Sequence, residues 1–222
     1  MRSGIALAAL AAGTIAGAGA ANAENGVAVS AGLGTTGGAI SAEAALNDYF
    51  VLRGGYNYFK YGMDDEYDDI AYDGDLDLST LGAFVDLHPF GGAFMLSGGA
   101  YFGDKALKMH ATPTENVEIG DATYTPAQVG TLNMKANLEK AAPFVGLGWD
   151  TAFTGEGPWG FRFVAGAMFT GSPDVNLTST GGTLSDDPNF LAEVAREEQN
   201  LRDDVDDYEV YPVIEAAVSF RF

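Results

Sequence analysis

The sequence predicts an all-β fold, an eight-stranded antiparallel β-barrel with one amphipathic helix in its last long loop. Three observations predict it. Apolar side chains recur at every second position in much of the chain, as in strands, whose side chains alternate between two faces. The intervals between these segments are mostly short and long in turn, and one stretch, 188–205, has a helical period instead.

Eight segments alternate in this way, and each is predicted to be a strand. In the third, for example, Phe50, Leu52 and Tyr56 share one face, whereas Val51 and Arg53 share the other. The predicted strands lie at about 27–34, 38–46, 49–60, 75–87, 93–103, 131–149, 160–170 and 208–222.

Two of these segments are irregular. In the fourth, either Leu81 and Val85 or their sequence neighbours could face outward. In the sixth, the apolar face changes phase near Lys140 and Ala141. One extra residue in a strand produces such a change, so the sequence predicts a β-bulge there.

The connections predict where the loops lie. Every long connection follows an odd-numbered strand, so all of them are expected at one end of the barrel and both chain termini at the other. The first hairpin, around Thr35, Thr36 and Gly37, is tight. The short connections are 47–48, 88–92 and 151–159, and the long ones are 61–74, 104–130 and 171–207.

The helix is predicted over residues 188–205. Asp187 is a favourable N-cap, and Pro188 suits the first helical position. Its apolar positions then follow a helical spacing. A helix is too thick to enter an eight-stranded barrel that side chains already fill, so it is expected across or beside the mouth at the loop end. The apolar positions are Phe190, Leu191, Val194, Leu201 and Val205.

Composition excludes several classes of function. The chain has no Cys, only two His and a net charge of −20. It therefore has no disulfide framework and no thiol nucleophile, and its charge disfavours nucleic-acid binding. No metal site or cofactor is predicted, and the absence of a G-x-S-x-G or similar catalytic motif predicts a protein that is not an enzyme.

The first 23 residues have the form of a secretory signal peptide. Arg2 precedes a run of small apolar residues from Gly4 to Ala21, and Ala21-Asn22-Ala23 matches the A-x-A cleavage pattern. The alternative, a transmembrane helix, is disfavoured because Ala and Gly dominate the run and no charged stop-transfer flank follows. The predicted organisation is a signal peptide at 1–23 and a barrel domain at 24–222.

Eight alternating strands suit either a soluble barrel with an apolar interior or a membrane barrel with an apolar exterior. Aromatic residues cluster at the strand ends, as in the girdles at membrane–water interfaces. The short turns at one end and the long acidic loops at the other match the membrane layout. The chain also stops on Phe222, the last residue of an alternating strand. These features favour the membrane barrel.

The sequence thus resembles the small eight-stranded outer-membrane barrel proteins of Gram-negative bacteria, the class that includes outer-membrane proteins A, W and X. The resemblance implies a transmembrane barrel in the cell outer membrane, surrounded by lipid and lipopolysaccharide. It also implies that the barrel assembly machinery reads the alternating last strand with its terminal aromatic residue. That signal falls on Ile214, Ala216, Val218, Phe220 and Phe222.

An eight-stranded barrel has an interior that side chains can fill, and buried charges must pair there. The sequence predicts an interior charge network with Arg162 paired to Glu215, and hence a structural or surface-interaction role. Two alternatives stay open: a narrow channel for small hydrophobic or ionic solutes, and a soluble periplasmic lipocalin-like binding barrel. The predicted network contains Glu43, Arg53, Glu139, Arg162, Glu215 and Arg221.

Two acidic regions, 64–77 and 186–209, are candidates for weak binding of divalent cations. Such cations would bridge the loops to anionic lipopolysaccharide. The simpler interpretation, a solvated surface of like charges, is favoured because neither region has the EF-hand spacing.

Overall fold

Eight strands close into an antiparallel ring in the computed structural model. The structure describes residues 26–67 and 70–222. The ring order is β1–β2–β3–β4–β5–β9–β10–β12, and β12 pairs again with β1. The predicted barrel is therefore confirmed. The predicted signal peptide at 1–23 lies outside the described residues. The elements are β1 Val27–Gly34, β2 Gly37–Ala45, β3 Phe50–Tyr67, β4 Ile70–Leu87, β5 Phe94–Pro113, β6 Val117–Ile119, β7 Ala122–Tyr124, α1 Pro126–Val129, β8 Gly130–Asn137, β9 Ala141–Asp150, β10 Trp159–Phe169, β11 Asp174–Gly181, α2 Pro188–Val205 and β12 Val210–Arg221.

The three predicted long loops contain regular structure. The expected loop at 61–74 is mostly strand, because the β3–β4 ladder continues up to the pair Tyr67 and Ile70. The 104–130 region holds the end of β5, the β6–β7 hairpin and α1, and 171–207 holds β11 before the helix. The acidic residues suggested loops, but charged side chains are also compatible with the solvated face of a strand that is paired along its length.

The predicted β-bulge near residue 140 is wrong. Strand β5 pairs with β8 through Ala106 and Asn137, and with β9 through Phe102 and Ala141. The two strands advance by the same number of residues between these pairs, so no residue is inserted. The inward face is the same on β8 and β9. The apolar pattern changes phase because the large apolar residues lie on the inward face of β8 but mainly on the outward face of β9.

The end of the molecule beyond that point forms a small packed unit, which we call the loop-end lobe: β6, β7, α1, β8, β11 and α2. Its core contains Ile119, Val129, Leu177, Phe190 and Val194. The apolar stripe of α2 thus packs against the strands of the lobe, except that Leu191 is 44% exposed.

Helix α2 has the predicted bounds. The Asp187 side chain accepts hydrogen bonds from the backbone N–H groups of Asn189 at 2.9 Å and Phe190 at 3.2 Å. These bonds satisfy backbone donors that every helix leaves free in its first turn. Across residues 26–67 and 70–222, no helix is both long and apolar enough to span a membrane.

The outer face of the ring is apolar. Large hydrophobic side chains on all eight ring strands are exposed, and we call this set the outer belt. Its members include Val29, Leu33, Ile40, Leu52, Tyr58, Leu81, Val85, Leu96, Phe102, Val145, Leu147, Phe161, Ile214 and Val218.

Candidate functional site

The inward faces of the ring strands carry the buried charges. On β3, Arg53 is buried between the exposed neighbours Leu52 and Gly54. On β10, Arg162 is buried, whereas the adjacent Phe161 is half exposed. The period of two therefore directs charge inward and apolar groups outward on the same strand.

Arg162 is the centre of one ionic cluster. Its Nη2 lies 2.9 Å from Glu215 Oε1, so the predicted pair is present, and its Nη1 contacts Glu43 Oε1. Ser30 and Ser41 accept further hydrogen bonds from the guanidinium at 3.1 and 3.0 Å. A buried charge is tolerated when it is paired and hydrogen-bonded in this way.

Arg53 forms a second cluster. Its Nε and Nη2 donate to the two carboxylate oxygens of Asp86, at 2.7 and 3.2 Å, and Nη2 also donates to Ser97 at 3.0 Å. The guanidinium carbon lies 4.1 Å from the centroid of the Phe84 ring. This arrangement joins a bidentate ion pair to a cation–π contact.

An aromatic layer adjoins the Arg53 cluster. The rings of Phe84, Tyr101 and Phe144 meet edge to face, with centroids 5.0–5.6 Å apart. Buried Met95 and Val164 belong to the same cluster. The barrel interior thus contains both an ionic and an apolar layer, and every ring strand contributes buried side chains.

Glycines make room for the ring of Phe144. A Cβ atom added at Gly146 would lie 2.6 Å from that ring, and one at Gly166 would lie 2.7 Å from it. Such distances are too short for carbon atoms, so a side chain at either position would displace the ring. Gly146 and Gly166 pair across β9 and β10, which leaves a recess that the ring fills.

The structure places four of the six predicted network residues in the interior: Glu43, Arg53, Arg162 and Glu215 are all buried. Glu139 is exposed between β8 and β9. The apolar residues that precede it face inward, so Glu139, at an alternate position, faces outward. Arg221 lies at the end of β12, where it donates to the carbonyl oxygens of Gly155 and Gly157 at 2.9 and 3.2 Å. It belongs to the mouth at the turn end of the barrel.

Sequence reasoning missed Asp86, Ser30, Ser41 and Ser97. A usable signal existed for Asp86. Leu81 and Val85 are exposed, and Asp86 lies on the opposite face of that strand. A search for a carboxylate partner of Arg53 would have resolved the ambiguous phase of the fourth strand.

The five residues of the predicted assembly signal follow one face. Ile214 and Val218 are 50% and 52% exposed, whereas Val213, Glu215 and Ala217, at the alternate positions, are buried. The rings of Trp159, Phe220 and Phe222 form a chain at the turn end of the barrel, with centroid distances of 5.0 and 5.4 Å. Ala216 completes the outward set, together with the half-buried Phe220 and the exposed Phe222.

Among the residues whose side chains are described, no group of three or more His, Asp or Glu residues could hold a metal ion. The side chains of 63–72, which carry much of the first acidic region, lie outside that part. In the second acidic region, Arg202 pairs with Glu198 at 2.8 Å, and Arg196 pairs with Glu193 at 2.8 Å.

Comparisons with known proteins find similarity in fold. No protein-family model matches the chain, and no curated protein matches it. The crystal structure of CarO2 from Acinetobacter baumannii aligns with a TM-score of 0.59 and 24% identity, over 89% of this chain and 98% of that one. A crystal structure of CarO from the same organism gives 0.56 and 23%, over 89% and 97%. The predicted resemblance to small eight-stranded barrels is thus confirmed for the fold.

Proposed function

We propose that the chain is an integral outer-membrane β-barrel protein whose interior is filled by side chains, with a structural or surface-interaction role. One observation carries the proposal. Each ring strand that carries a buried ion pair turns apolar residues outward, as β10 does with Arg162 and Phe161. A water-soluble barrel would have the opposite distribution, whereas lipid requires this one.

The height of the outer belt agrees with a bilayer. On β12, exposed or half-buried apolar residues run from Val210 to Phe220. A rise of about 3.4 Å per residue and a tilt of about 40° give this stretch a height of about 26 Å. The apolar band of outer-membrane barrels is about 25 Å tall. Aromatic residues near the turn end, including Trp149 and Trp159, supply an interfacial girdle.

The interior supports a closed barrel. Eight strands enclose a space that side chains can fill. Here the Arg162 and Arg53 clusters and the aromatic layer occupy it. Opening a water-filled path would require separating buried ion pairs, which is costly. The alternative function, a narrow channel for small solutes, would need these groups to rearrange.

The membrane location can be tested by gel mobility of the envelope fraction, with and without boiling in SDS. A folded membrane barrel resists cold SDS, so we expect a band that shifts on boiling. Recovery in the soluble periplasmic fraction, without a shift, would contradict the proposal. It would favour the lipocalin-like alternative.

Channel function can be tested in planar bilayers. The purified protein is expected to give no unitary conductance steps, and the Phe144→Ala variant, which empties part of the aromatic layer, serves as the comparison. Reproducible steps from the unmodified protein would favour the channel.

The proposed partners follow from the proposed location. They are lipid at the outer belt, lipopolysaccharide and weakly bound divalent cations at the acidic loop end, and the barrel assembly machinery at the terminal strand. Deletion of Phe222 is expected to lower the amount of folded protein in the outer membrane without affecting export. The Phe222→Tyr variant, which keeps an aromatic terminus, is the control.

A further inference from the structure

A cleft of about 270 Å³ lies between the C-terminal half of α2 and strands β4, β5, β8 and β11. Its lining side chains are mainly aliphatic. Leu78, Leu107, Met134 and Ala136 contribute from the strands, and Leu201 and Val205 contribute from the helix. The N-terminal half of α2 packs into the core of the lobe through Phe190 and Val194. The C-terminal half covers the cleft without filling it.

Lys105 is the charged residue among those that line the cleft, and its charged group is turned away from it. Lys105 is 2% exposed and lines the cleft. Its ammonium donates to the carbonyl oxygens of Gly103 and Lys140, each at 3.3 Å. The cleft therefore meets the methylene stem of Lys105, as long basic side chains often present apolar stems to apolar surfaces.

The rim of the cleft is acidic. Val205 and Tyr208 line the cleft, and the two residues between them in the sequence, Asp206 and Asp207, are exposed aspartates. The neighbouring cation, Arg202, is already engaged, because it donates to Val175 O and pairs with Glu198 at 2.8 Å. The unbalanced charge at the rim attracts cations and repels anions.

Volume and charge together define a ligand. A cleft of about 270 Å³ has the volume of roughly nine water-sized groups at about 30 Å³ each. An aliphatic chain of about nine carbons fits an apolar cavity of that size. We propose that the cleft beneath α2 binds single-chain amphiphiles with a cationic head, with the alkyl chain inside and the head among the rim aspartates. This site belongs to the loop-end lobe and does not depend on whether the barrel conducts.

The test uses the full barrel in phosphatidylcholine nanodiscs, with nonyltrimethylammonium as the probe and empty nanodiscs as the partition control. Methyl-labelled methionine reports the site by NMR, because Met134 lines the cleft, whereas Met95 and Met168 lie in the barrel interior. We expect the Met134 signal to shift saturably while the signals of Met95 and Met168 stay in place. Nonylsulfonate, with the same chain and the opposite charge, is expected to bind at least tenfold more weakly.

A cavity-filling variant makes the assignment specific. Ala136→Phe places a ring in the cleft and is expected to weaken probe binding at least tenfold. Ala127→Phe, at an exposed position of α1 outside the cleft, should leave binding unchanged. Gel mobility checks that the barrel of both variants folds, and hydrogen exchange of the α2 amides checks that the lobe does. An unshifted Met134 signal, equal binding of the sulfonate, or undiminished binding by a folded Ala136→Phe protein would each overturn the proposal. The Met134 titration needs no substitution, so it decides the matter even if the variant does not fold.

Discussion

Strands β4 and β5 run from the barrel ring into the region of the loop-end lobe, and their large apolar side chains lie mainly on opposite faces in the two regions. On β4, the buried Leu78 faces inward in the lobe region, whereas Leu81 is 61% exposed on the outer face of the barrel. On β5, Leu107 lines the cleft of the lobe, whereas Phe102 lies on the outer belt. The apolar face changes sides between these residues on both strands.

The change occurs at one level. Leu78 pairs with Lys105, and Leu81 pairs with Phe102. The break between β8 and β9 faces the same part of β5, because Gly103 and Lys105 are hydrogen-bonded there to Lys140 and Leu138. The proposed membrane location predicts such a common level on three neighbouring strands, because the surroundings would pass there from lipid to water. On that proposal, the position of the apolar face marks the edge of the lipid-facing region.

The largest expected effect is on stability, when a buried arginine is replaced. It is compared with the replacement of an exposed arginine, and each of the two contacts two carboxylates. Arg162 is buried between Glu43 and Glu215, and Arg196 is about half exposed between Asp121 and Glu193. Replacement of Arg162 by Met leaves buried carboxylates without a counter-charge. This should lower the free energy of unfolding by about 3–5 kcal/mol. Urea unfolding in lipid vesicles, followed by gel mobility, measures it.

The matched variant Arg196→Met removes an exposed pair, which contributes about 0–1 kcal/mol. Similar losses for the two variants would mean that the interior is wet, and would favour the narrow channel.

The second prediction places the same charge on the outer surface of each region. Val145 lies on the outer belt of β9, between Gly98 and Ala167 on the neighbouring strands and midway between Trp149 and the start of β9. An arginine near the bilayer midplane costs about 2–4 kcal/mol, so Val145→Arg should destabilise the protein by that amount in the same unfolding assay. Thr178→Arg, on the exposed face of β11 in the lobe, should change stability by at most about 0.5 kcal/mol. If both variants behaved alike, the belt would not be in contact with lipid.

Features that depend on local chemistry could be read from the sequence. The bounds of α2 were predicted because an N-cap, a proline and an apolar stripe coincide between Asp187 and Val205. The ring strands were predicted from their period of two. Features that depend on the surroundings could not be read in this way, because a period of two does not say which face points inward.

The misplaced residues illustrate that limit. Glu139 was assigned to the interior by assuming that the apolar face is always the outer one, which holds for the barrel and fails for the lobe. The same assumption produced the bulge at Lys140. The segment 61–74, which contains Asp73, is paired as strand over most of its length, but its acidic residues made it resemble a loop.

The smallest expected effect is confined to the lobe. Asp187 caps α2 through two backbone hydrogen bonds, and loss of an N-cap costs about 1 kcal/mol. Asp187→Ala should therefore speed hydrogen exchange of the α2 amides by about fivefold, while the gel mobility of the barrel stays unchanged. Asp186→Ala is the control, because Asp186 is exposed and the capping bonds are made by its neighbour. If the capping variant also lowered the resistance of the barrel to SDS, the lobe and the barrel would unfold as one cooperative unit. That result would contradict the expectation that the lobe can be destabilised separately from the barrel.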